Sequence, residues 1–239
     1  MNGGKTHNMA RSRPVFRRVA FAVVTLALAG SLAACGGDDE GDDPTAPGTG
    51  TVAVAEVKCT QVPDEGGDVK CPTEIATDPA DVSVKTSEGD FTIALDVDAS
   101  PATTTSFRHL VEDGFYDGLT FSRVVPGFVI QGGDPLADDS QRAGSGGPGY
   151  YVDEKVPDDT TYDRGVVAMA KAADEPAGRS GSQFFVVSGP DAQLPPDYAY
   201  VGRVTKGLDT VAAIESLGVG DGPPRKRVTI DDMEVVPQS

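Results

Sequence analysis

The chain has 239 residues, of which 38% are hydrophobic, and this is enough material for one substantial domain or two small ones. Its formal net charge of −17 makes nucleic acid a poor partner, because an acidic surface repels the phosphate backbone. The only histidines are His7 and His109, which argues against a histidine-rich metal site. We therefore expect no metal, and no motif in the chain implies a cofactor.

Residues 1–34 have the order of features that is typical of an export signal. Arginines at positions 11, 13, 17 and 18 precede an apolar run at residues 19–29, which is too short to cross a bilayer comfortably. Residues 32–35, Leu-Ala-Ala-Cys, resemble the bacterial lipobox, in which the cysteine is lipidated and becomes the mature N-terminus. We predict a lipoprotein signal peptide at residues 1–34, with Cys35 anchoring the exported protein to the outer face of the cell membrane. The alternative is an ordinary cleaved signal with an incidental cysteine.

Residues 35–50 are acidic, rich in glycine and proline, and without large apolar side chains. Such a segment cannot bury enough surface to offset its ordering entropy, so we predict a tether. Residues 51–80 form an N-terminal extension that contains Cys59 and Cys71. Because exported thiols meet an oxidising compartment, we predict that these two form a disulfide. A metal pair or a redox dithiol is the alternative, but neither a second Cys-x-x-Cys motif nor a nearby histidine supports it.

The sequence changes character at Asp81. Residues 82–84 and 91–97 place apolar side chains at every second position, which predicts two strands joined by a turn. Ser100 and Pro101 then have the pattern of a helix start, and Gly114 has that of a helix end.

Residues 121–134, FSRVVPGFVIQGGD, predict two short apolar strands around a Pro-Gly turn. Arg123 and Gln131 flank the apolar runs where a simple core strand would carry valine or isoleucine. These two residues therefore either edge a binding surface or reach solvent.

Residues 144–149 match the Gly-x-Gly-x-x-Gly pattern of dinucleotide-binding loops by letter only. They do not follow a buried strand or begin a helix, so we predict a flexible loop without nucleotide binding. The surroundings of Ser145 and Ser180 both miss the Gly-x-Ser-x-Gly elbow, which argues against a serine hydrolase.

The last part of the chain predicts three strands, a second helix and a closing strand, at residues 165–170, 182–187, 198–204, 207–217 and 228–236. The inward phase of the closing strand slips at Asp231 and Asp232, which indicates a bulge or a turn. Many short strands with only two helices predict a mainly β fold, a closed antiparallel barrel plugged by helices, rather than a parallel α/β sheet.

Residues 121–134 resemble the signature of the cyclophilin peptidyl-prolyl isomerases, and residues 181–185, GSQFF, resemble that family's second signature. The similarity runs in the family's order from residue 81 to residue 236. It implies an isomerase domain at residues 81–238, folded as a closed eight-stranded antiparallel β-barrel capped by two α-helices.

The resemblance also implies roles for individual residues. Arg123 would be the principal catalytic residue, and Gln131 would hydrogen-bond the substrate backbone. The proline pocket would be formed by Phe128, Val129, Met169, Phe185 and Leu194. The adjoining groove would be lined by Ala170, Lys171 and Gln183, with Tyr198 at a position where the family often has histidine.

Two departures from the family pattern limit what can be carried over. Gln193 stands where many eukaryotic members have tryptophan, so the resemblance does not extend to binding of cyclosporin-type drugs. Four extra residues between Gly133 and Gly144 change one side of the groove.

The sequence thus predicts a monomeric isomerase that acts on X-Pro bonds in proline-containing segments of exported proteins. A non-catalytic peptide-binding or chaperone module on the same barrel is the main alternative, and a structural surface lipoprotein is a third. Arg123 and Gln131 favour the enzyme, because a protein that only binds peptides has no need of them.

Overall fold

The structure is a computed structural model, and it describes residues 56–238. The predicted signal peptide, Cys35 and the predicted tether lie outside these residues. Within them, neither helix is long and apolar enough to cross a membrane. The elements are β1 (Cys59–Gln61), β2 (Ala80–Thr86), β3 (Gly89–Leu95), α1 (Pro101–Glu112), β4 (Arg123–Val125), β5 (Val129–Gly132), β6 (Tyr150–Asp153), β7 (Val166–Met169), β8 (Arg179–Ser180), β9 (Phe184–Val187), β10 (Tyr200–Lys206), α2 (Leu208–Glu215) and β11 (Ile230–Pro237).

The main sheet has eight antiparallel strands in the order β11-β2-β3-β10-β7-β9-β5-β4. It curls into an open half-barrel, so the prediction of a closed barrel is wrong. Within residues 56–238 no ladder joins β4 to β11, and a single bridge between Thr120 and Thr229 connects the segments that precede them. The outer edge of β4 is occupied by a loop instead, because the Val124 amide donates to the Gly222 carbonyl at 2.8 Å.

The strand and helix pattern explains where the core lies. Inward positions of the main sheet are filled by apolar side chains, and α1 covers them with Phe107, Leu110 and Val111, each at most 3% exposed. Pro101 occupies the first turn of α1, where its missing N–H costs nothing. The slip predicted in the last strand is confirmed as a register shift between Ile230 and Asp232.

A second, three-stranded sheet was not predicted from the sequence. It has the order β1-β6-β8, so the N-terminal extension contributes an edge strand to it. Behind this sheet, Val57, Tyr150 and Val152 form a small buried cluster. The predicted bridge between Cys59 and Cys71 is confirmed, with 6.1 Å between the Cα atoms.

Removing this disulfide should lower stability without abolishing the fold. The bridge joins residues 12 positions apart, and the chain-entropy relation for a loop of that size gives about 3 kcal/mol. The double variant Cys59→Ser/Cys71→Ser should therefore melt at a lower temperature, by roughly 2–4 °C for each kcal/mol. Calorimetry with and without a reductant measures this. Reductant should lower the melting temperature of the wild type but not of the variant, and equal melting of both proteins would contradict the prediction.

Candidate active site

One hairpin and the strand paired with it bring the polar residues of the first signature onto one surface. β4 and β5 form a hairpin in which Arg123 pairs with Gln131, and Gln131 in turn pairs with Phe185 on β9. The hairpin turn needs glycine at position 127, because its φ angle is +74°. Antiparallel neighbours on adjacent strands point to the same side of the sheet, so these three side chains share its outer face.

An apolar pocket of about 190 Å³ opens beside these residues. Its floor belongs to a buried cluster on the outer face of the sheet that contains Val129 and Phe185 and is separate from the main core. Nine of the predicted site residues line it: Arg123, Phe128, Val129, Gln131, Ala170, Lys171, Phe185, Leu194 and Tyr198.

Met169 does not line this pocket, and its assignment to the proline pocket is corrected. Its side chain is 1% exposed and lies in the main core, where Phe184 is its partner on β9. The preceding residue, Ala168, belongs to the outer cluster. Because successive residues on a strand face opposite sides, only one of the two can reach the outer face.

Arg123 is held by partners on two sides. Its Nε donates to Asp221 Oδ1 at 2.5 Å and its Nη2 donates to Asp221 Oδ2 at 3.2 Å, while Nη1 donates to Gln131 Oε1 at 3.2 Å. The guanidinium carbon lies 5.7 Å from the centre of the Phe128 ring. The Arg123 hydrogen bond and charge hold the pKa of the Asp221 carboxyl below its usual range. These contacts orient the guanidinium beside the apolar pocket.

A chain of amide hydrogen bonds connects Gln131 to the glycine-rich loop. Gln131 Nε2 donates to Gln183 Oε1 at 3.2 Å, and Gln183 Nε2 donates to the carbonyls of Gly144 and Gly146 at 3.0 and 2.9 Å. The buried Asp134 carboxylate accepts the Gly144 amide at 2.6 Å, which fixes the loop from behind. Gln183 therefore lies next to the pocket rather than in it, and lines the adjoining cavity.

Tyr162 supports the opposite wall and was missed by sequence reasoning. Its hydroxyl donates to the Tyr198 carbonyl at 2.6 Å and accepts the Tyr198 amide at 3.0 Å. The Tyr198 ring packs edge-on against Phe185, with 5.5 Å between ring centres. Burial raises the pKa of Tyr162 to about 12, so its hydroxyl keeps the proton that this contact needs.

Asp221 was also missed, because it lies 98 residues from Arg123 in the sequence. Its only local signal is an isolated acid in a segment rich in glycine and proline, residues 218–224. Gln193, in contrast, is exposed and outside the pocket lining.

The arrangement can hold an apolar ring while one cationic donor and one amide face its rim. Across the part of the chain that the structure describes, no group of three or more His, Cys, Asp or Glu residues is placed to hold a metal ion. The side chains named above can bind a ligand through hydrogen bonds, electrostatic attraction and a complementary shape.

Comparison with known proteins supports the resemblance that the two signatures indicate. A family model described as "Cyclophilin type peptidyl-prolyl cis-trans isomerase/CLD" matches residues 81–235. Peptidyl-prolyl cis-trans isomerase B of Bacillus subtilis is 42% identical over 113 residues, covering 47% of this chain and 73% of that protein. The probable peptidyl-prolyl cis-trans isomerase B of Mycobacterium leprae is 34% identical over 184 residues, covering 68% of this chain and 59% of that protein. The chain thus spans less than two thirds of this mycobacterial relative.

Solved structures agree with these relatives. The crystal structure of a cyclophilin type peptidyl-prolyl cis-trans isomerase from Cryptosporidium parvum has a TM-score of 0.60 and 29% sequence identity, covering 67% of this chain and 99% of that one. A structure of the same enzyme in the presence of the dipeptide ala-pro has a TM-score of 0.59. Since the family model covers well over half of the chain, this protein belongs to the cyclophilin-type peptidyl-prolyl cis-trans isomerases, the enzymes that catalyse rotation about X-Pro bonds.

Proposed function

We propose that this isomerase acts without covalent chemistry, with Arg123 stabilising the twisted amide of the substrate. The observation that carries the proposal is the position of the guanidinium, which is fixed at the rim of an apolar pocket by Asp221 and Gln131. A proline ring fits a pocket lined by Phe128 and Phe185.

The barrier to be lowered is the loss of amide resonance, which amounts to about 18–20 kcal/mol. As the bond twists, the proline nitrogen becomes pyramidal and regains a lone pair. A hydrogen bond from a charged donor to that nitrogen is stronger in the twisted state than in either planar state. Catalysis requires such an interaction, which stabilises the transition state more than the ground state. Arginine suits this role because its planar fork is always charged and has a fixed geometry.

Gln131 has a different role in this proposal. Its amide faces the pocket from β5 and is oriented by Arg123 on one side and Gln183 on the other. It hydrogen-bonds the substrate backbone next to the proline, while Ala170 and Lys171 contact the peptide in the adjoining groove. Holding the backbone on both sides lets the X-Pro bond turn while the rest of the peptide stays in place.

The proposal is tested by measuring isomerisation of short prolyl peptides with the full chain in mild detergent. The reaction takes tens of seconds without a catalyst, and the wild type should accelerate it at catalytic concentrations. An Arg123 variant that isomerises the peptides at the wild-type rate would refute the proposed mechanism but not the isomerase activity.

We further propose that the substrates are exported proteins and that the enzyme is a monomer on a lipid anchor. The support is the sequence of residues 1–35, namely the arginines, the apolar run and the Leu-Ala-Ala-Cys motif. Light scattering of the detergent-solubilised chain, corrected for bound detergent, tests the monomer, and a dimer mass would contradict it.

Cys35→Ala should abolish lipid attachment. Labelling cells with a palmitate analogue measures this directly, and the label should disappear in the variant while the protein leaves the membrane fraction. Cys59→Ser/Cys71→Ser is the matched control and should keep the label. Label that survives Cys35→Ala would contradict the anchor.

A further inference from the structure

A second cavity of about 330 Å³ adjoins the proline pocket and shares Gln131, Ala170 and Lys171 with it. A peptide seated in the pocket therefore continues directly into this cavity. Its lining includes Glu65, a residue of the N-terminal extension that lies outside the family match at residues 81–235. The extension thus adds a side chain to the surface that faces the substrate.

Backbone hydrogen bonds fix the position of Glu65. Its carbonyl accepts the Gly147 amide at 2.9 Å. Two further hydrogen bonds follow along the extension: the Gly67 amide donates to the Gly147 carbonyl at 3.1 Å, and the Val69 amide donates to the Pro148 carbonyl at 2.9 Å. The close approach needs glycine on both sides. A Cβ atom at Gly67 would lie 2.7 Å from the Gly147 carbonyl oxygen, and one at Gly147 would collide with the Glu65 carboxylate.

The cations around the cavity already have partners. Arg179 donates to both carboxylate oxygens of Asp153, at 2.9 and 3.1 Å, and lies 3.6 Å from the centre of the Tyr151 ring. Lys171 Nζ donates to the Glu175 carbonyl at 3.1 Å and lies 5.4 Å from the centre of the Tyr198 ring. Both side chains are therefore directed to groups other than Glu65.

The two carboxylates of the cavity, in contrast, have no ion pair among the described residues. The Glu175 carboxylate accepts the Ala172 amide at 2.6 Å, which orients it. Burial raises the pKa of the Glu65 carboxyl, the charge of Glu175 raises it further, and a backbone hydrogen bond from Gly149 lowers it. The partly buried Glu65 carboxylate is thus repelled by Glu175 and has no ion pair among the described residues, so a cation bound beside it would be favoured.

We infer that Glu65 is a specificity-determining residue, which makes the cavity beside the proline pocket a subsite for a lysine or arginine side chain that flanks the proline in the substrate. The inference rests on the proposed function, since the cavity matters only if a prolyl peptide occupies the adjoining pocket. The long apolar stem of a basic side chain fits a cavity of this size, while its charged end meets Glu65 and Glu175.

The test uses short peptides with one proline and a single variable residue, placed at each of three positions on either side of it. Two-dimensional NMR exchange measures kcat/KM for lysine and for norleucine, which has a similar length and no charge. For wild type, lysine should be preferred about five- to tenfold at one of these positions, the size expected for one or two partly exposed ion pairs. The preference should shrink as salt is added.

Glu65→Gln should lower this ratio by at least half, with the remainder due to Glu175, and Glu65→Lys should abolish the lysine preference. Glu74→Gln, in the same extension but outside the cavity, is the matched control and should keep the wild-type ratio. Circular dichroism and melting temperature confirm that each variant is folded. A lysine preference that is undiminished in Glu65→Gln, or its absence in wild type, overturns the inference. A wild type that accelerates none of the peptides contradicts the proposed function instead.

Discussion

Replacing Arg123 by alanine should lower kcat/KM for prolyl peptides by about 10²- to 10³-fold, the effect of removing one preorganised charged donor from a transition state. The fall should be mainly in kcat, because the proline ring still fits the apolar pocket. The melting temperature should change little, since Arg123 pairs with an exposed acid and exposed ion pairs contribute roughly 1 kcal/mol or less. A protease-coupled assay with matched unfolding curves measures both quantities.

Two further variants separate charge from geometry. Arg123→Lys keeps the positive charge but loses the planar fork, and should recover only a small part of the activity. Arg203→Ala is the matched control, because Arg203 also lies on a strand and pairs with an aspartate, Asp163, at 3.0 Å. It should keep full activity. Wild-type rates in Arg123→Ala would remove the basis for the proposed mechanism.

Phe184→Ala should be the most destabilising change, costing about 3–5 kcal/mol of the free energy of unfolding. Phe184 is fully buried, and its ring lies 5.5 Å from the rings of Phe107 and Tyr116 and 6.0 Å from that of Phe121. Removing it leaves a cavity where helix α1 meets the sheet. Denaturant unfolding measures the loss as a lower midpoint at an unchanged slope.

Its neighbour Phe185 provides the matched comparison. Phe185 faces the apolar pocket from the same strand. Phe185→Ala should therefore raise KM for prolyl peptides and should cost less stability than Phe184→Ala. Equal loss of stability in the two variants, with unchanged KM in Phe185→Ala, would contradict the assignment of Phe184 to the core and of Phe185 to peptide binding.

The sequence was sufficient for the elements whose signals are local. Alternating apolar positions predicted β2 and β3, and the strands predicted at residues 165–170, 182–187, 198–204 and 228–236 correspond to β7, β9, β10 and β11. The Ser-Pro and Gly signals predicted the bounds of α1 to within two residues. Nine of the residues that the family resemblance named line one pocket. The rule that successive strand residues face opposite sides would have put Met169 in the core, had it been applied to β7.

What the sequence could not predict depends on contacts between distant segments. Asp221 meets Arg123 across 98 residues, and Tyr162 meets Tyr198 across 36. Strands β1, β6 and β8 have two to four residues each, which is too short to show a period, and they are defined by their pairing with one another. The main sheet stays open because the loop around Gly222 lies against the edge of β4. No pattern of apolar residues in the sequence predicts the position of this loop.

The edge of the main sheet at β4 also bears on the rate of turnover. The strand that carries Arg123 has three residues and one neighbouring strand, and its other edge is closed by the loop at residues 218–224. Gly218 lies so close that a Cβ there would be 2.7 Å from the Val124 carbonyl oxygen. A short edge strand opens at a lower free energy than the central strands do, without unfolding of the rest. Because this loop carries Asp221, which pairs with Arg123, we expect substitutions in the loop to change how firmly the guanidinium is held, and with it the rate of turnover, while the residues that line the pocket stay the same.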